Sequence, residues 1–510
     1  MARLKRCVGM LLVGVLTGGT AAAQELGSSA PEKSDLHSYQ AMVMLDYQVI
    51  RVPGDKPIDL MGFHIQNKVA NRLFLGVGAY APLVKGAYGG FMAFDIDAHF
   101  QQPLTSRLFA TAGVSAGGGG GGRSLEQSKL LSGTGGFFKG YVGLGYDFSR
   151  FSVGANISRV KFISSAIDGT QANVFIQIPY SYLTGPYSSQ GQTLSAADAR
   201  LAAAGSGENM LTLVFDRLRQ VAPEGSYKGT INVADLQYAH YFATDTYWYA
   251  GLGVGFHGLP LYNQLLGGVG QRLRLSPKFT LYGQLGIGSG GYAPEVINTD
   301  AGLLVYPKVS VEYALTRELG LALSAGYMVA PKGTARNQTI GLALTHHLRS
   351  GDGGGSESDS PAIFQAFRFS VLQQTEYHVR YGDLASNPLH MLGIQLDRLL
   401  SEHWYIPLQA TVAYNAYHGY PGYGELLAGI GLQTRASPAN RVQLFSQLMV
   451  GTNVHGPAVK ACGGLRYGLS DHWSVQLSAG KTVAQESAGK RFSADSVALG
   501  LDYRFSIPSW

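Results

Sequence analysis

Three side chains in this sequence have the types and spacing that acid–base or metal chemistry requires. Asp95, Asp97 and His99 recur at every second position, so in a strand they point to one face and could together bind a cation or a proton. Pairing of these charges with basic groups on neighbouring strands is the interpretation we favour. The set therefore predicts a polar interior, with no catalytic residue, no metal site and no cofactor.

Histidines at two other places have simpler explanations than catalysis. His346 and His347 are adjacent near the end of an alternating segment, where neighbouring side chains point to opposite faces and do not chelate one metal ion together. His418 lies in a tyrosine- and glycine-rich stretch with Glu425 nearby, which is typical of a surface loop. The glycine run 117–122 lacks the Lys-Ser/Thr of a phosphate loop, so a flexible outer loop is predicted there.

The elements that carry these residues are predicted to be strands with one apolar and one small or polar face. Segment 497–505 reads VALGLDYRF, with every odd-numbered residue apolar and every even-numbered residue small or charged. Segment 473–480, WSVQLSAG, repeats the alternation. A strand that faces lipid on one side and a polar lumen on the other needs this pattern.

The same order of strands occurs three times along the chain. Segments that begin at Leu73, Trp248 and Trp404 each precede a tyrosine- and glycine-rich loop and a hairpin with a polar turn. With the flanking strands, each copy has about eight strands, and the three copies together have about 24. Each strand is near the length that a tilted strand needs to span a membrane. The predicted boundaries are a signal peptide at 1–23, modules at 24–184, 209–350 and 362–510, and linkers at 185–208, with a short helix at 195–204, and at 351–361.

Composition and the start of the chain support export to a membrane. Residues 1–23 have the charged, apolar and small-residue order of a secretory signal, so the mature chain is predicted to begin at Gln24. Only 14% of residues are charged, whereas 69 are glycine and 29 tyrosine. Without the signal, 36 basic and 33 acidic residues remain, which gives no support to nucleic-acid binding. Cys462 is then the single cysteine, so no disulfide is predicted.

Two segments, 141–148 (YVGLGYDF) and 497–505, resemble the late strands of small eight-stranded (porin-family type) outer-membrane barrels of Gram-negative bacteria. The resemblance implies an all-β, antiparallel, up-and-down transmembrane barrel in the cell outer membrane. It also implies outer-membrane lipids and the barrel assembly machinery as partners. In such proteins a C-terminal strand that ends in an aromatic residue is the assembly signal, which here implies Phe505 or Trp510.

Strand periodicity is the same for three tandem eight-stranded barrels and for one wide barrel. The inward positions favour three small barrels, because charged side chains that alternate with glycines suit a packed polar interior. A wide barrel, and after it a soluble β-sandwich, are the alternatives. The residues predicted to face a lumen are Asp95, Asp97 and His99 in the first module, Arg272 and Arg274 in the second, and Gln433, Arg435, Lys460, Arg466, Asp502 and Arg504 in the third.

These patterns predict a non-enzymatic outer-membrane barrel with a structural, surface-presenting or small-solute passage role. A lipid-modifying barrel enzyme and a wide secretion or uptake pore are the alternatives, because this fold carries several unrelated functions. The sequence names no specific ligand. The pairing of the first and last strands of each module distinguishes three barrels from one.

Overall fold

Antiparallel pairing between sequence neighbours organises the chain into three successive closed barrels. The computed structural model describes residues 35–123, 125–204, 208–316, 318–348, 363–435, 441–485 and 489–509. The predicted signal peptide and Trp510 lie outside these ranges, as does the predicted linker 351–361. Among the described residues, none of the helices is long and apolar enough to cross a membrane.

The first barrel closes where its first strand pairs with its eighth, from His37 opposite Thr184 to Gln48 opposite Asn173. A short helix, Leu125–Ser132, lies in the connection between the fifth and sixth strands. The eight strands are β1 (His37–Ile50), β2 (Ile58–Ala70), β3 (Leu73–Ala81), β4 (Met92–Pro103), β5 (Leu108–Gly120), β6 (Gly136–Asp147), β7 (Ser152–Phe162) and β8 (Asp168–Thr184).

The second barrel closes in the same way, between its last and first strands, from Asn337 opposite Gln220 to His347 opposite Met210. Its strands are β9 (Asn209–Gln220), β10 (Ile231–Tyr241), β11 (Thr246–His257), β12 (Asn263–Arg274), β13 (Phe279–Gly291), β14 (Leu303–Ala314), β15 (Leu319–Val329) and β16 (Arg336–His347).

The segment that joins the first two barrels contains the short helix that the sequence predicts near 195–204. A 3-10 turn at Tyr187–Ser189 precedes the helix, which spans Ala196–Ala204. Ser195 caps its start, because the Ser195 hydroxyl accepts the Asp198 backbone N–H at 3.0 Å. The predicted helix is therefore confirmed.

The third barrel has eight long strands and a two-residue strand, β18, that pairs only with the end of β17. Closure joins β17 to β25 from Ile363 opposite Ser509 to Tyr381 opposite Phe492. The strands are β17 (Ile363–Tyr381), β18 (Leu384–Ala385), β19 (Leu389–Leu399), β20 (Trp404–Ala413), β21 (Gly424–Gln433), β22 (Val442–Asn453), β23 (Gly456–Gly468), β24 (Trp473–Gln485) and β25 (Arg491–Ser509). The predicted three-barrel fold is confirmed, and the single wide barrel is wrong for the described chain.

Each barrel has a turn end, with short connections and the chain's entry and exit, and a loop end with longer connections. Strand alternation places the two classes of side chain on opposite faces. In β16, Thr339 and Thr345 are buried inside, whereas Ile340 is 69% exposed on the outside. The pattern that predicted the strands therefore also decides which side chains fill the interiors.

The glycine run 117–122 was predicted to be a flexible loop, but most of it lies in a strand. Residues 117–120 form the loop end of β5. Gly117 and Gly118 pair with both β4 and β6, and Gly119 and Gly120 pair with β4 alone. A Cβ atom on Gly118 would lie 2.5 Å from the Ala413 carbonyl oxygen, and one on Gly120 2.8 Å from Pro421. Glycine is used here because the third barrel packs directly on this strand.

The three barrels contact one another in every pair. At the loop end, the Gly89 N–H donates to the Asp300 carbonyl at 2.9 Å, and the Thr452 hydroxyl donates to the Gly255 carbonyl at 3.4 Å. At the turn end, Gly185 and Ser506 exchange two backbone hydrogen bonds, and the second and third barrels are joined by an ion pair, Arg398 to Glu318, at 2.9 Å.

Candidate functional sites in the barrel interiors

The outer surface of the barrels is apolar. Side chains that point outward from the middle of the walls are more than half exposed in all three barrels, among them Val142, Leu144, Ile157, Val269, Leu323, Ile340, Leu444, Leu448 and Val450. The charged and amide side chains of the same strands are buried inside. This is the exterior of a membrane-spanning barrel. The fold and its surface are those of an integral outer-membrane β-barrel protein.

The interior of the first barrel contains a cluster of ionisable groups that the sequence prediction finds only in part. Asp95 and Asp97 of β4 meet His64 of β2, whose Nδ1 lies 3.7 Å from Asp95 Oδ1 and 3.4 Å from Asp97 Oδ2. The other ring nitrogen of His64 lies 3.3 Å from Asp46 of β1, and Lys139 of β6 pairs with that same carboxylate. We name these five residues the barrel-1 cluster.

His99 lies outside this cluster, although it follows Asp97 on the same face. Its Nδ1 is 2.6 Å from the Tyr141 hydroxyl and its Nε2 is 3.2 Å from the Gln177 amide. The predicted trio is therefore split: the two carboxylates belong together, and the histidine that joins them comes from β2. Polar residues at every second position of β1 and β2, such as Asp46 and His64, were the sequence signal for the missing members.

In the second barrel, Arg272 is buried at the turn end. Its guanidinium lies 2.6 Å from Glu208 and 3.2 Å from Asp245. His347 bridges Glu208 and Glu312 at 2.8 and 3.0 Å. Arg274, which was predicted to face the lumen, is instead exposed at the end of β12, because the strand there has passed beyond the barrel wall.

His346 and His347 occupy different surroundings, in keeping with the period of a strand. His347 is buried in the interior, whereas His346 is half-buried and its Nδ1 lies 3.4 Å from the Glu318 carbonyl oxygen. Adjacent strand residues point to opposite faces. The pair does not form one chelating site.

The third barrel is filled by two polar layers. Near the turn end, Arg368 donates to Asp397 at 2.7 Å and to Gln433 at 3.2 Å, and Arg466 lies 3.5 Å from Asp397 and 3.7 Å from Asp502. Nearer the loop end, Lys460 donates to Gln374 at 2.6 Å and lies 3.4 Å from Glu425. The predicted residues Gln433, Lys460, Arg466 and Asp502 are all buried here, whereas Arg368, Asp397 and Glu425 were not predicted.

Arg435 of the third module lies elsewhere than predicted, and Arg504 lies at the turn-end edge of the interior. Arg435 follows the end of β21, is 71% exposed and pairs with Glu402 at 3.2 Å. It does not face the lumen, because the alternation was extended past the last strand residue. Arg504 is half-buried at the turn end, where it bonds the Ser470 carbonyl and lies over the Tyr187 ring.

Phe505 lies on β25 and stacks with Phe367 of β17, at a ring-centroid distance of 5.9 Å. It thus sits at the seam where the third barrel closes. Its role as an assembly signal stays a prediction, and Trp510 lies outside the described residues.

The third barrel also has an aromatic cluster at its loop end. His455, in the turn between β22 and β23, stacks on Tyr381 with a centroid distance of 4.1 Å, and its Nε2 is 2.6 Å from the Tyr417 hydroxyl. Burial, and secondarily the charge of nearby His418, lower the pKa of His455 from 6.5 to about 4. The packed ring is therefore neutral at pH 7.

Acidification is expected to loosen this cluster. Because the pKa of His455 is lower in the folded than in the unfolded chain, the stability it contributes is complete above the unfolded pKa and is lost as the pH falls towards about 4. Proteolysis of loop 414–423 between pH 7 and pH 4 measures this. His455→Gln should flatten the pH profile, whereas His403→Gln at the turn end should leave it unchanged. Identical profiles for the wild type and His455→Gln would contradict the assignment.

Comparison with known proteins gives no family. No protein-family model matches the chain, and no curated protein matches it. Among solved structures it is similar to a de novo designed transmembrane β-barrel, with TM-score 0.20 and 15% identity over 28% of this chain and 96% of that one. It is also similar to the ferric enterobactin receptor PfeA from Pseudomonas aeruginosa, in a mutant form, with TM-score 0.28 and 11% identity over 94% of this chain and 82% of that one.

A third similar structure is the siderophore receptor PirA from Acinetobacter baumannii, with TM-score 0.29 and 9% identity over 93% of this chain and 81% of that one. These scores are too low to transfer a function or a barrel arrangement to this chain. What those receptors bind is a property of those proteins.

Proposed function

We propose that this protein is a non-conducting scaffold of the outer membrane, in which three filled barrels anchor one continuous surface of loops. The observation that carries the proposal is the filling of the interiors. In the third barrel, the cavity lined by Gln374, Gln409 and Lys460 has a volume of only about 10 Å³. That volume holds about one water molecule, so it does not form a water-filled channel.

The loop end supports the second half of the proposal. Main-chain groups of Gly89 and Gly118 meet main-chain groups of the neighbouring barrels there, and the Gly255 carbonyl accepts a hydrogen bond from the short Thr452 side chain. Contacts between main chains hold surfaces in register more tightly than contacts between long side chains, because fewer rotatable bonds lie between them. The loops of the three barrels therefore act as one presented surface.

The lengths of the connections support one orientation of the barrels in the outer membrane. Short turns of outer-membrane barrels face the periplasm and longer loops face outward. In the proposed orientation, the start of β1 and the end of β25, which both lie at the turn end, face the periplasm. The loop end, including the aromatic cluster around His455, then faces the cell exterior.

Conductance and surface labelling test the proposal. Purified protein in planar bilayers is expected to show at most small, intermittent currents, because charged side chains occupy the lumens. A large, steady conductance would contradict the non-conducting role and favour passage of solutes.

Single cysteines test the orientation, in a Cys462→Ser background. Lys56, Lys228 and Lys490 are exposed at the loop ends of the three barrels, and Lys278 is exposed at a turn. Cysteines at the first three positions should react with a membrane-impermeant maleimide on intact cells. A cysteine at position 278 should react only after the outer membrane is permeabilised. The reverse pattern would overturn the orientation.

A further inference from the structure

The charges of the barrel-1 cluster do not balance. Asp46, His64, Asp95, Asp97 and Lys139 are each at most 7% exposed. With His64 neutral, three carboxylates face one ammonium group, and with His64 protonated they still outnumber the two positive charges. Asp59, the other buried carboxylate among the described side chains of this barrel, is satisfied separately by the backbone N–H groups of residues 83–85. Excess negative charge inside a protein is costly unless a cation or protons compensate it.

The unbalanced charge faces unsatisfied atoms. Both carboxylate oxygens of Asp95, Oδ2 of Asp97 and Nδ1 of His64 are buried and have no hydrogen-bond partner among the described residues. One ligand atom from each of the three residues lies within 4.8 Å of the others. Buried polar atoms are nearly always paired, so three such groups that converge on one point indicate a ligand between them.

Two of the three separations between these atoms are close to those around a small metal ion. His64 Nδ1 is 3.4 Å from Asp97 Oδ2 and 3.7 Å from Asp95 Oδ1. In a tetrahedral zinc site with bonds of 2.0–2.2 Å, neighbouring ligand atoms lie about 3.3–3.6 Å apart. One nitrogen with carboxylate oxygens is also a ligand set that zinc accepts.

The second nitrogen of His64 is held as in known metal sites. His64 Nε2 lies 3.3 Å from Asp46, whose other oxygen pairs with Lys139. A neutral histidine that donates from Nε2 presents the lone pair of Nδ1 to its other neighbours. That lone pair faces two carboxylates, which repel it unless a metal cation or a proton on Nδ1 lies between. A carboxylate behind a metal-bound histidine is the usual means of fixing its tautomer and orientation.

Gly78 of β3, the strand between β2 and β4, has no side chain, and the cluster occupies the space that a side chain would take. Gly78 of β3 is paired in register with His64 on one side and with Asp95 on the other. A Cβ atom at Gly78 would lie 2.5 Å from Asp95 Oδ1. Any larger residue would therefore displace the carboxylate from the point where the ligand atoms converge.

We propose that the first barrel binds one divalent transition-metal ion, best matched by zinc, through His64 Nδ1, Asp95 and Asp97. Asp46 orients His64, and Lys139 holds Asp46. Two positive charges from the metal bring the cluster to neutrality. Aromatic and aliphatic side chains, including Tyr88, Phe91 and Phe162, fill the interior towards the loop end, and Met44 and Phe109 are buried in it towards the turn end, so we expect the ion to enter while the barrel folds.

Metal content of the purified, full-length protein tests the proposal. Protein from zinc-supplemented cells, washed with EDTA in its folded state, is expected to retain about one zinc per chain. Asp95→Asn keeps the size of the side chain but removes a charge and a ligand, and should lower retained zinc at least roughly tenfold. His99→Gln, buried in the same barrel outside the cluster, is the matched control and should retain it.

A refolding experiment keeps the test decisive if Asp95→Asn fails to fold. Wild-type protein refolded with zinc should have a higher urea midpoint than protein refolded with EDTA, because the ion binds only the folded chain. His64→Gln should abolish this difference, and His99→Gln should not. Folded wild-type protein without zinc after the wash, or a zinc content equal in wild type and Asp95→Asn, would overturn the proposal. The first result would show that protons balance the charge, and the second that the ion is bound at the surface.

Discussion

Arg466→Glu is expected to destabilise the third barrel by several kcal/mol. The Arg466 side chain is 2% exposed and lies within 3.7 Å of two carboxylates, Asp397 and Asp502. It also lies 3.8 Å above the Phe445 ring. Reversal of its charge would place three carboxylates together in a dry interior. Removal of one partner from a buried ion pair already costs about 3–5 kcal/mol. The measurement is the urea concentration at which half of the protein is unfolded. Folded and unfolded protein are distinguished by their different mobility on a gel run without heating.

Arg435→Glu is the matched control for this experiment. Arg435 belongs to the same module and pairs with Glu402, but its side chain is 71% exposed. Exposed ion pairs contribute about 0–1 kcal/mol, so this variant should unfold close to the wild type. Equal midpoints for the two variants would mean that Arg466 is solvated, as in a water-filled channel, and would remove the main support for filled barrels.

Gly118→Val is expected to separate the first and third barrels at the loop end. The Cβ of any larger residue would meet the Ala413 carbonyl oxygen at 2.5 Å, and a backbone atom in a paired strand cannot move aside alone. Overpacking of this kind costs about 1–3 kcal/mol. Because the loop 414–423 follows Ala413 directly, we expect faster proteolysis of that loop in protein that still folds into three barrels.

Gly140→Val provides the comparison. Gly140 is also a strand glycine of the first barrel, but a Cβ atom there would meet nothing within 4 Å. The two substitutions have the same effect on strand propensity. A difference between their rates of loop proteolysis therefore reports the effect of the contact between the barrels. Similar proteolysis rates for both variants would show that the loops do not depend on this contact and would contradict the single presented surface.

The three interiors compensate their charges differently. The second barrel places Arg272 and His347 among carboxylates at the turn end, and the third uses Arg368, Arg466 and Lys460 in two layers. In the first barrel Lys139 is the one lysine or arginine in the barrel-1 cluster, which has three carboxylates. The second barrel also has two buried carboxylates, Asp216 and Asp235, beside one lysine, Lys308. Among the described residues, however, a histidine and two carboxylates converge on one point only in the first barrel, and this is the reason that a bound cation is proposed there alone.

The sequence by itself determined the strands, their faces and their grouping into three eight-stranded modules. A strand has a period of two, so the alternation in segments such as 497–505 predicts which side chains meet lipid. The same rule correctly placed Asp95, Asp97, Lys460, Arg466 and Asp502 inside. It failed at Arg274 and Arg435, because periodicity does not indicate the residue at which a strand leaves the barrel wall.

Only the tertiary structure decided how the barrels close and which polar groups meet. Pairing of β1 with β8 and of β17 with β25 depends on contacts between residues far apart in sequence, which local periodicity does not contain. For the same reason His64, rather than His99, joins Asp95 and Asp97. The glycines at 117–120 likewise form a strand rather than a loop, because they pair with β4 while another barrel packs against them. The two-residue period of a strand shows which of its side chains share one face. Which side chains of other strands they contact depends on strand order and register.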